Sequence, residues 1–334
     1  MAIENRAADV ATQRPETRPS PPMSAMRSPG AARPLAQPAL VALAAYFVTV
    51  WGAGFVASRI ALQYAAPFSY IGVRYAIAFG VALLAFGLRA AWPATPALWA
   101  HVAVAGLLSH AGYLGGSHYA QAWGLSAGVT ALVLALQPLV TAVVMAGWLH
   151  ERLRPVQIAG VAVGLAGVAL VVGHRVEGGP ITAASLLVVT WALVCVTAGT
   201  LYQRQFCAGV DLRSAVCIHF AATAIVMLPL GLLVEGFRIE WNAQIAGSLA
   251  YHVVLASIGA YSIFHVLLRR GQATAVTSLL YLTPPVAALA EWLVFGIAPT
   301  AVMWTGMLVA CIGVAMVTRA AAAQRPSPAI EELS

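Results

Sequence analysis

The sequence is dominated by a series of apolar runs, each about twenty residues long. An α-helix of about twenty apolar residues spans the hydrocarbon core of a bilayer, which is about 30 Å thick. Only 9% of the 334 residues are charged, whereas soluble domains carry about 25%. Strands of a membrane barrel would instead alternate in polarity over about ten residues. The runs therefore predict an all-α integral membrane protein.

Ten transmembrane helices are predicted, with short connections between most of them. Their ranges are 39–61, 67–88, 98–122, 127–149, 155–173, 181–203, 212–234, 245–268, 274–296 and 300–319. Residues 1–37 are rich in Pro, Arg, Ala and Ser and contain no apolar run, so we expect a disordered cytoplasmic tail without a cleavable signal. A polar C-terminal tail is predicted at 320–334.

The positive charge is distributed unevenly along the chain. The net charge is +7, and every basic residue other than histidine is arginine. Arginines concentrate in the two tails and in alternate loops, and the intervening loops contain only Arg175 and Arg238. This asymmetry predicts an inner-membrane protein with both termini in the cytoplasm and an even number of spans. The charge therefore points to orientation in a lipid bilayer and not to a nucleic-acid partner.

The chain repeats itself internally. Three residues between 127 and 142 recur 147 positions later, as the pairs Thr130 and Thr277, Leu132 and Leu279, and Pro138 and Pro285. Similar matches pair Gly160 with Gly306 and Arg74 with His219. Spans one to five (38–174) and six to ten (180–319) are therefore predicted to be two repeats. Because five is odd, the second repeat is inverted in the membrane, an arrangement typical of secondary transporters.

The arrangement resembles the EamA branch of the drug/metabolite transporter superfamily over residues 40–318. The residues that carry the resemblance are "WGAGFVASRIAL" from Trp51, "VRYAIA" from Val73, "SAGVTALVLALQPLVTAVVMAGWLHERLRPVQIAGVAVGLAGVALVV" from Ser126, and "YLTPPVAALAEWLVFGIAPTAVMWTGMLVACIGVAMV" from Tyr281. In place of the glutamate that usually closes the ninth span, and that would match Glu151, the chain has Ile297. A carboxylate is found instead at Glu291. The resemblance implies a ten-helix carrier, often an exporter of amino acids or other metabolites.

Polar side chains in the predicted spans share helix faces. At 100° per residue, those of 98–122 and of 245–268 each fall within roughly 140°. The alternative is that Ser and Thr hydroxyls simply bond helices together or bond to their own backbone. We expect the ionisable and aromatic groups to line a shared cavity. The candidate substrate-binding residues are Trp51, Arg74, His110, Tyr113, His118, Gln137, Trp191, His219, Tyr261, His265 and Tyr281.

Two pairs of these candidates are related by the repeat. His118 matches His265, and Arg74 matches His219. Because the repeats are inverted, His118 and Arg74 are predicted nearer the outer mouth and their mates nearer the inner mouth. Each pair could provide one group for each of two alternating gates. Alternatively, the pairs reflect the symmetry of the repeat, and only one member of each functions in transport.

Arg74 follows Pro67 by seven residues, which is about 10 Å of helix. A charge at that depth is costly unless it faces the protein interior. Two roles remain open: bidentate binding of a substrate carboxylate, or a structural role in which Arg74 bonds helix-end carbonyls or snorkels outward. Arg59, near the end of span one, is interpreted as a snorkelling anchor.

Glu291 is the one carboxylate inside a predicted span. Burial favours the protonated form of a carboxyl group, so Glu291 is predicted to couple export to protons, assisted by His118 or His265. The alternative is a glutamate near the outer interface that makes one hydrogen bond.

Prolines and glycines predict how some helices bend and pack. Pro138 and Pro285 occupy corresponding positions, where kinks indicate either a binding site or static bending. Gly160 and Gly164 form a GxxxG pattern that predicts close packing inside the protein or at a dimer face. We expect a monomer or a weak homodimer. The four cysteines predict neither a disulfide framework nor a metal site, and no cofactor is expected.

The sequence favours a secondary transporter that exports a small amino-acid-like or drug-like metabolite by alternating access. An importer of the same fold, a membrane sensor or channel, and a membrane enzyme are the alternatives. Against an enzyme, the spans contain no pair of aspartates and the chain contains no HExxH motif or phosphate-binding loop. The lack of that loop also argues against ATP-driven pumping.

Overall fold

The computed structural model describes residues 37–149, 153–174, 181–260, 263 and 280–322. Within these ranges the secondary structure is helical, apart from one isolated β-bridge between Ala65 and Ile239. The helices are α1 Gln37–Ala61, α2 Pro67–Phe86, α3 Pro96–Ala122, α4 Ala127–Leu134, α5 Gln137–Leu149, α6 Pro155–Gly173, α7 Ala183–Phe206, α8 Leu212–Glu235, α9 Ala243–Ala250, α10 Thr283–Phe295 and α11 Ala301–Ala322. Met1–Leu40 and Val41–Ser334 are separate units, and the contacts described here belong to the second.

Eight helices in the described ranges are long and apolar enough to cross a membrane. They are Ala42–Ala61, Pro67–Arg89, Pro96–Ala122, Ala127–Gly147, Pro155–Gly173, Ala183–Phe206, Leu212–Glu235 and Ala301–Ala320. The prediction of an all-helical membrane protein is confirmed, and eight of its ten spans are found. The predicted spans 245–268 and 274–296 include residues outside the described ranges, and Leu280–Phe295 is a shorter apolar helix.

Helix ends follow the local sequence. Proline occupies the first turn of α2, α3 and α6, where its missing N–H costs no helical hydrogen bond. Thr182 and Asn242 cap α7 and α9 by accepting from backbone N–H groups. Gly236 and Gly296 end α8 and α10 in the left-handed conformation.

The helix that starts at Ala127 is interrupted just before Pro138, since α4 ends at Leu134 and α5 begins at Gln137. The matched Pro285 lies in the first turn of α10, directly after the 3-10 turn Leu280–Leu282. The predicted interruption is therefore found at Pro138, whereas Pro285 lies at a helix start and the residues before Leu280 are outside the described ranges.

Helices of one repeat pack against helices of the other. The packed pairs are α2 with α8, α3 with α7, α4 with α10, and α6 with α11. The Tyr251 hydroxyl adds a bond from the second repeat to the Val50 carbonyl of α1, at 2.7 Å. The repeats therefore form one helical body along these pairs, and residues at their interface face the interior.

The GxxxG helix α6 packs inside the protein. A Cβ on Gly167 would lie 2.6 Å from the Gly306 carbonyl oxygen, and one on Gly160 would lie 2.8 Å from that of Gly313. Side chains at these positions would hold α6 and α11 apart. Of the two roles left open for the pattern, the structure shows internal packing.

Candidate functional site

Arg74 lies in the interior on α2, with only 7% of its surface exposed. Its guanidinium stacks on the neighbouring Tyr75, with 5.2 Å between the guanidinium carbon and the ring centroid. Among the described residues it forms no ion pair, and its Nε has no hydrogen-bond partner. Arg74 is thus neither bonded to helix-end carbonyls of the described residues nor extended outward as a snorkelling anchor.

A chain of rings connects Arg74 to its repeat mate His219. The Tyr75 hydroxyl lies 3.0 Å from Nδ1 of His110, and the rings of His110 and His219 have centroids 5.5 Å apart. Arg74 and His219 were predicted at opposite mouths of a cavity. The structure instead joins them through two intervening rings.

A second group of rings lies on the other side of Arg74. Tyr70 is one helical turn before Arg74, so the two side chains share a face of α2. The Tyr70 ring stacks on His118 at 6.0 Å between centroids, and its hydroxyl lies 2.7 Å from Nδ1 of His252. We call this set the Arg74 cluster; it consists of Tyr70, Arg74, Tyr75, His110, His118, His219 and His252.

His252 joins three helices. Its Nε2 lies 3.1 Å from the Gly54 carbonyl oxygen and 3.3 Å from the Ser58 hydroxyl, both on α1. Nδ1 also lies 2.9 Å from the Ser248 carbonyl oxygen, so a neutral imidazole donates to one of the two carbonyls and accepts from a hydroxyl, Ser58 or Tyr70, at its other nitrogen. His252 therefore fixes α1 and α2 relative to the helix that follows Ala243.

Several buried polar atoms of this region lack hydrogen-bond partners among the described residues. They belong to Arg74, His118, Gln121 and His219, and neither ring nitrogen of His118 makes a hydrogen bond of normal geometry. A buried unpaired polar group costs about 1–3 kcal/mol. Four such residues in one region form a set of groups that a bound polar solute can satisfy.

Two π-helical stretches carry two of these histidines. His110 lies in Leu107–Gly112 within α3, and His252 lies in Tyr251–Ala260 after α9. A π-helix has i→i+5 bonds, so it rotates the side chains that follow relative to an α-helix. An α-helical phase of 100° per residue places His252 off the polar face predicted for its span, and the π-helical stretch that begins at Tyr251 departs from that phase.

A carboxylate that was not among the predicted site residues joins the two repeats where α2 begins. Glu235, the last residue of α8, accepts from the backbone N–H groups of Phe68 at 2.9 Å and Ser69 at 2.8 Å. It also accepts from the hydroxyls of Ser69 and Tyr119. The start of α2 has no side-chain cap of its own, so a residue of the second repeat supplies one.

Glu291 performs the same task at the start of α4. Its carboxylate accepts from the N–H groups of Ala127 at 3.0 Å and Gly128 at 3.1 Å, and it pairs with Arg59. The alternative of a single hydrogen bond for Glu291 is therefore not what the structure shows. Arg59, interpreted as a snorkelling anchor, is instead the ionic partner of Glu291.

The connecting loops at this end are also paired. The Ala66 N–H donates to the Arg238 carbonyl at 2.9 Å, and the Glu240 N–H donates to the Tyr64 carbonyl at 2.8 Å. These bonds join the α1–α2 loop to the α8–α9 loop. Together with Glu235 and Glu291, they hold the two repeats together at the end where α2 and α4 begin.

The other predicted site residues have different surroundings. Tyr113 packs between the two largest apolar clusters and lies near enough to Arg74 to interact electrostatically. The Trp51 ring packs against that of Phe47, with centroids 5.4 Å apart and planes tilted by 36°. Gln137 donates to the Thr200 hydroxyl at 2.9 Å. Tyr281 donates to the Thr318 hydroxyl.

Of the remaining three predicted residues, one is exposed and two cannot be placed. Trp191 is 59% exposed on α7 and points outward, because its side chain lies on the face opposite the packed one. Tyr261 and His265 lie outside the described residues. Four predicted residues, Arg74, His110, His118 and His219, therefore come together in the cluster.

Four functional candidates were missed: Tyr70, Tyr75, His252 and Glu235. Two had a usable signal, since Tyr70 is one turn before Arg74 and Tyr75 adjoins it. Glu235 lies one residue beyond the predicted end of its span. Its role depends on contacts with residues more than 110 positions away, which no local pattern encodes.

A family model and a solved structure both match most of this chain. The model of the EamA-like transporter family matches residues 39–173 and 182–319, one match for each repeat. A solved crystal structure superposes with a TM-score of 0.59 at 19% identity, covering 87% of this chain and 100% of the other. That likeness concerns the fold.

Three curated relatives have transporter names. An uncharacterized transporter, YvbV of Bacillus subtilis, is 26% identical over 85% of this chain and 92% of its own length. A probable amino-acid metabolite efflux pump of Salmonella typhimurium is 25% identical over 81% of this chain and 92% of its own length. A probable terminal-alkyne amino-acid exporter of Streptantibioticus cattleyicolor is 28% identical over 59% of this chain and 67% of its own length.

Proposed function

Because this chain belongs to the EamA-like transporter family, we propose that it exports a small amino-acid-derived metabolite across the inner membrane, with both termini in the cytoplasm. Relatives named as an efflux pump and an exporter support the direction. The observation that carries the proposal is the buried guanidinium of Arg74, which has no ionic partner among the described residues. A substrate carboxylate can bind such a fork bidentately.

Alternating access requires an end that opens and closes. The end where α2 and α4 begin is held shut by Glu235, Glu291 and the loop pairs of Ala66 and Glu240. We assign this end to the outer face, as the arginine distribution predicts. Release of substrate to the outside then requires these contacts to break.

Proton coupling through Glu291 follows from the same contacts. Protonation of its carboxylate would remove the ion pair with Arg59 and weaken the bonds from Ala127 and Gly128. Protons arriving from outside would therefore favour opening of the outer end. Export of substrate in exchange for inward protons is the resulting cycle.

Export is tested first. Cells with and without the protein are compared for metabolites that accumulate in the medium, and the solute identified is then measured in proteoliposomes. Arg74→Gln should lower the transport rate about tenfold or more, because a charge-assisted hydrogen bond contributes about 1.5–3 kcal/mol. Flux that saturates and shows counterflow identifies a carrier, whereas flux that does neither identifies a channel.

Arg204→Gln is the matched control, since Arg204 is exposed at the end of α7. It should transport as the wild type does. Wild-type rates for Arg74→Gln, at equal amounts of folded protein, would contradict the assignment of Arg74 to the substrate.

The coupling role is tested by pH. Glu291→Gln cannot change its charge, so export should lose its dependence on an imposed pH gradient while Glu240→Gln, an exposed control, retains it. An unchanged pH dependence in Glu291→Gln rules out the coupling role and leaves the export function standing.

A further inference from the structure

Among the residues that the structure describes, no carboxylate pairs with Arg74. The chain contains eleven acidic residues. Nine of them lie in the tails or in the connections between predicted spans: Glu4, Asp9, Glu16, Glu151, Glu177, Asp211, Glu240, Glu331 and Glu332. The other two are Glu291, inside a predicted span, and Glu235, which lies one residue beyond its predicted span and is the last residue of α8 in the structure.

Both of those carboxylates are engaged elsewhere. Glu235 receives two backbone N–H bonds and two hydroxyl bonds at the start of α2. Glu291 receives two backbone N–H bonds and the Arg59 guanidinium. Neither can reach Arg74 without giving up these partners.

The other polar groups around Arg74 bring no negative charge. The cluster offers tyrosine hydroxyls and imidazoles, and Gln121, one turn beyond His118, adds an unpaired amide. These groups accept or donate hydrogen bonds but do not balance a cation. Any neutralising charge therefore has to arrive with the solute.

Building on the proposed function, we infer that the exported solute is a carboxylate that lacks a free ammonium group, such as a 2-oxo acid or an N-acylated amino acid. A solute with one negative charge neutralises Arg74 in the low-dielectric interior. A zwitterionic amino acid would add a second cation to a region without an anion to receive it. The Arg74 cluster is thereby selective for charge as well as for the carboxyl group.

Binding to the purified full-length protein tests this charge selectivity. The probes are pairs of an amino acid and its matching 2-oxo acid: alanine and pyruvate, leucine and 4-methyl-2-oxopentanoate, phenylalanine and phenylpyruvate. Within the pair that binds best, the 2-oxo acid should bind at least about tenfold more tightly, as expected for an uncompensated charge in the interior. An amino acid that binds as tightly as its oxo acid, or binding by none of the six probes, overturns the inference.

A charge introduced into the cluster provides the second test. His118 is close enough to Arg74 to interact with it electrostatically, so His118→Glu places in the protein the carboxylate that we assign to the solute. It should weaken 2-oxo-acid binding about tenfold or more and leave the amino acid bound at least as well as before. Two control variants should keep the wild-type preference for the 2-oxo acid over the amino acid in each pair. They are His118→Gln, which adds no charge, and His174→Glu, which lies outside the cluster.

Thermal unfolding midpoints show whether each variant is folded. If His118→Glu does not fold, Gln121→Glu is the replacement, because it is isosteric and its amide is unpaired. A variant that folds and keeps the wild-type preference contradicts the inference.

The two proposals fail in different ways. If the exported solute is a zwitterion and Arg74→Gln still abolishes its export, the function stands and the charge selectivity is wrong. If Arg74→Gln leaves export unchanged, the assignment of Arg74 to substrate binding fails, and charge selectivity fails with it.

Discussion

At the scale of single residues, this protein treats three charged side chains in three ways. Glu235 is satisfied by hydrogen-bond donors alone, and Glu291 by donors together with the Arg59 cation. Arg74 has neither an ion pair nor a bonded Nε in the described part of the chain. Charges in a membrane interior persist when they are paired or when they serve a function. The two glutamates fit the first case, and the substrate binding that we propose would place Arg74 in the second.

Glu235→Gln should destabilise the protein by about 1–3 kcal/mol, the cost of losing charge-assisted bonds to backbone N–H groups. The amide has one acceptor oxygen and directs its NH₂ at donors from Phe68 or Ser69. Thermal unfolding in detergent measures the change. Glu240→Gln is the control, since that side chain is exposed, and equal midpoints for the two variants would show that the Glu235 cap contributes nothing.

At the scale of elements, the helix starts and the glycine contacts determine how the repeats meet. The first turns of α2 and α4 present free N–H groups and a positive dipole end, which carboxylates from α8 and α10 complete. Elsewhere, helices α6 and α11 pack so closely that a Cβ added to Gly167 would overlap the backbone of Gly306. Polar caps thus close one end of the helical body, and close backbone packing joins the last helix of each repeat.

Gly167→Leu should reduce the yield of folded protein sharply, because overpacking a tight contact costs about 1–3 kcal/mol or more. Gly80→Ala is the matched control in another long helix, where an added Cβ meets no atom within 4 Å. It should fold as well as the wild type or better, since alanine favours helix by about 1 kcal/mol over glycine. Size-exclusion chromatography in detergent and thermal unfolding provide the comparison, and a stable Gly167→Leu protein would disprove the packing role.

At the scale of the whole molecule, the pairing of each repeat's helices with those of the other defines an interior surface along the repeat interface. The Arg74 cluster draws on α2, α3, α8 and the π-helical stretch after α9, so it belongs to both repeats. A movement of one repeat against the other would change its geometry directly. This is the property that alternating access at a repeat interface requires.

The orientation of the molecule in the membrane is testable with two introduced cysteines. Glu240→Cys lies in the loop at the end closed by Glu235, and Arg204→Cys lies at the end of α7. A membrane-impermeant maleimide should label the first in intact cells and the second only after permeabilisation. The unsubstituted protein, whose Cys195, Cys207 and Cys217 are buried, is the background control. The reverse labelling pattern would invert the topology and the assignment of the closed end.

The membrane class, the repeat and four members of the Arg74 cluster could be predicted from the sequence alone, because each depends on local properties. The length of an apolar run predicts a membrane-spanning helix, and the repeat is visible in residues that recur about 147 positions later. The depth of Arg74 from Pro67 marks a charge that must face the interior. Arg74, His110, His118 and His219 were chosen on such grounds, and the structure brings them together.

The partners of the charged and polar residues could not be predicted from the sequence and became known from the packing of the helices. Arg59 and Glu291 pair across 232 positions, and Glu235 reaches Phe68 across 167. His252 lies off the polar face that an α-helical phase predicts for its span, and the π-helical stretch found there departs from that phase. Contacts between distant segments depend on how helices pack, and packing is set by the sum of many contacts and not by any one stretch of sequence.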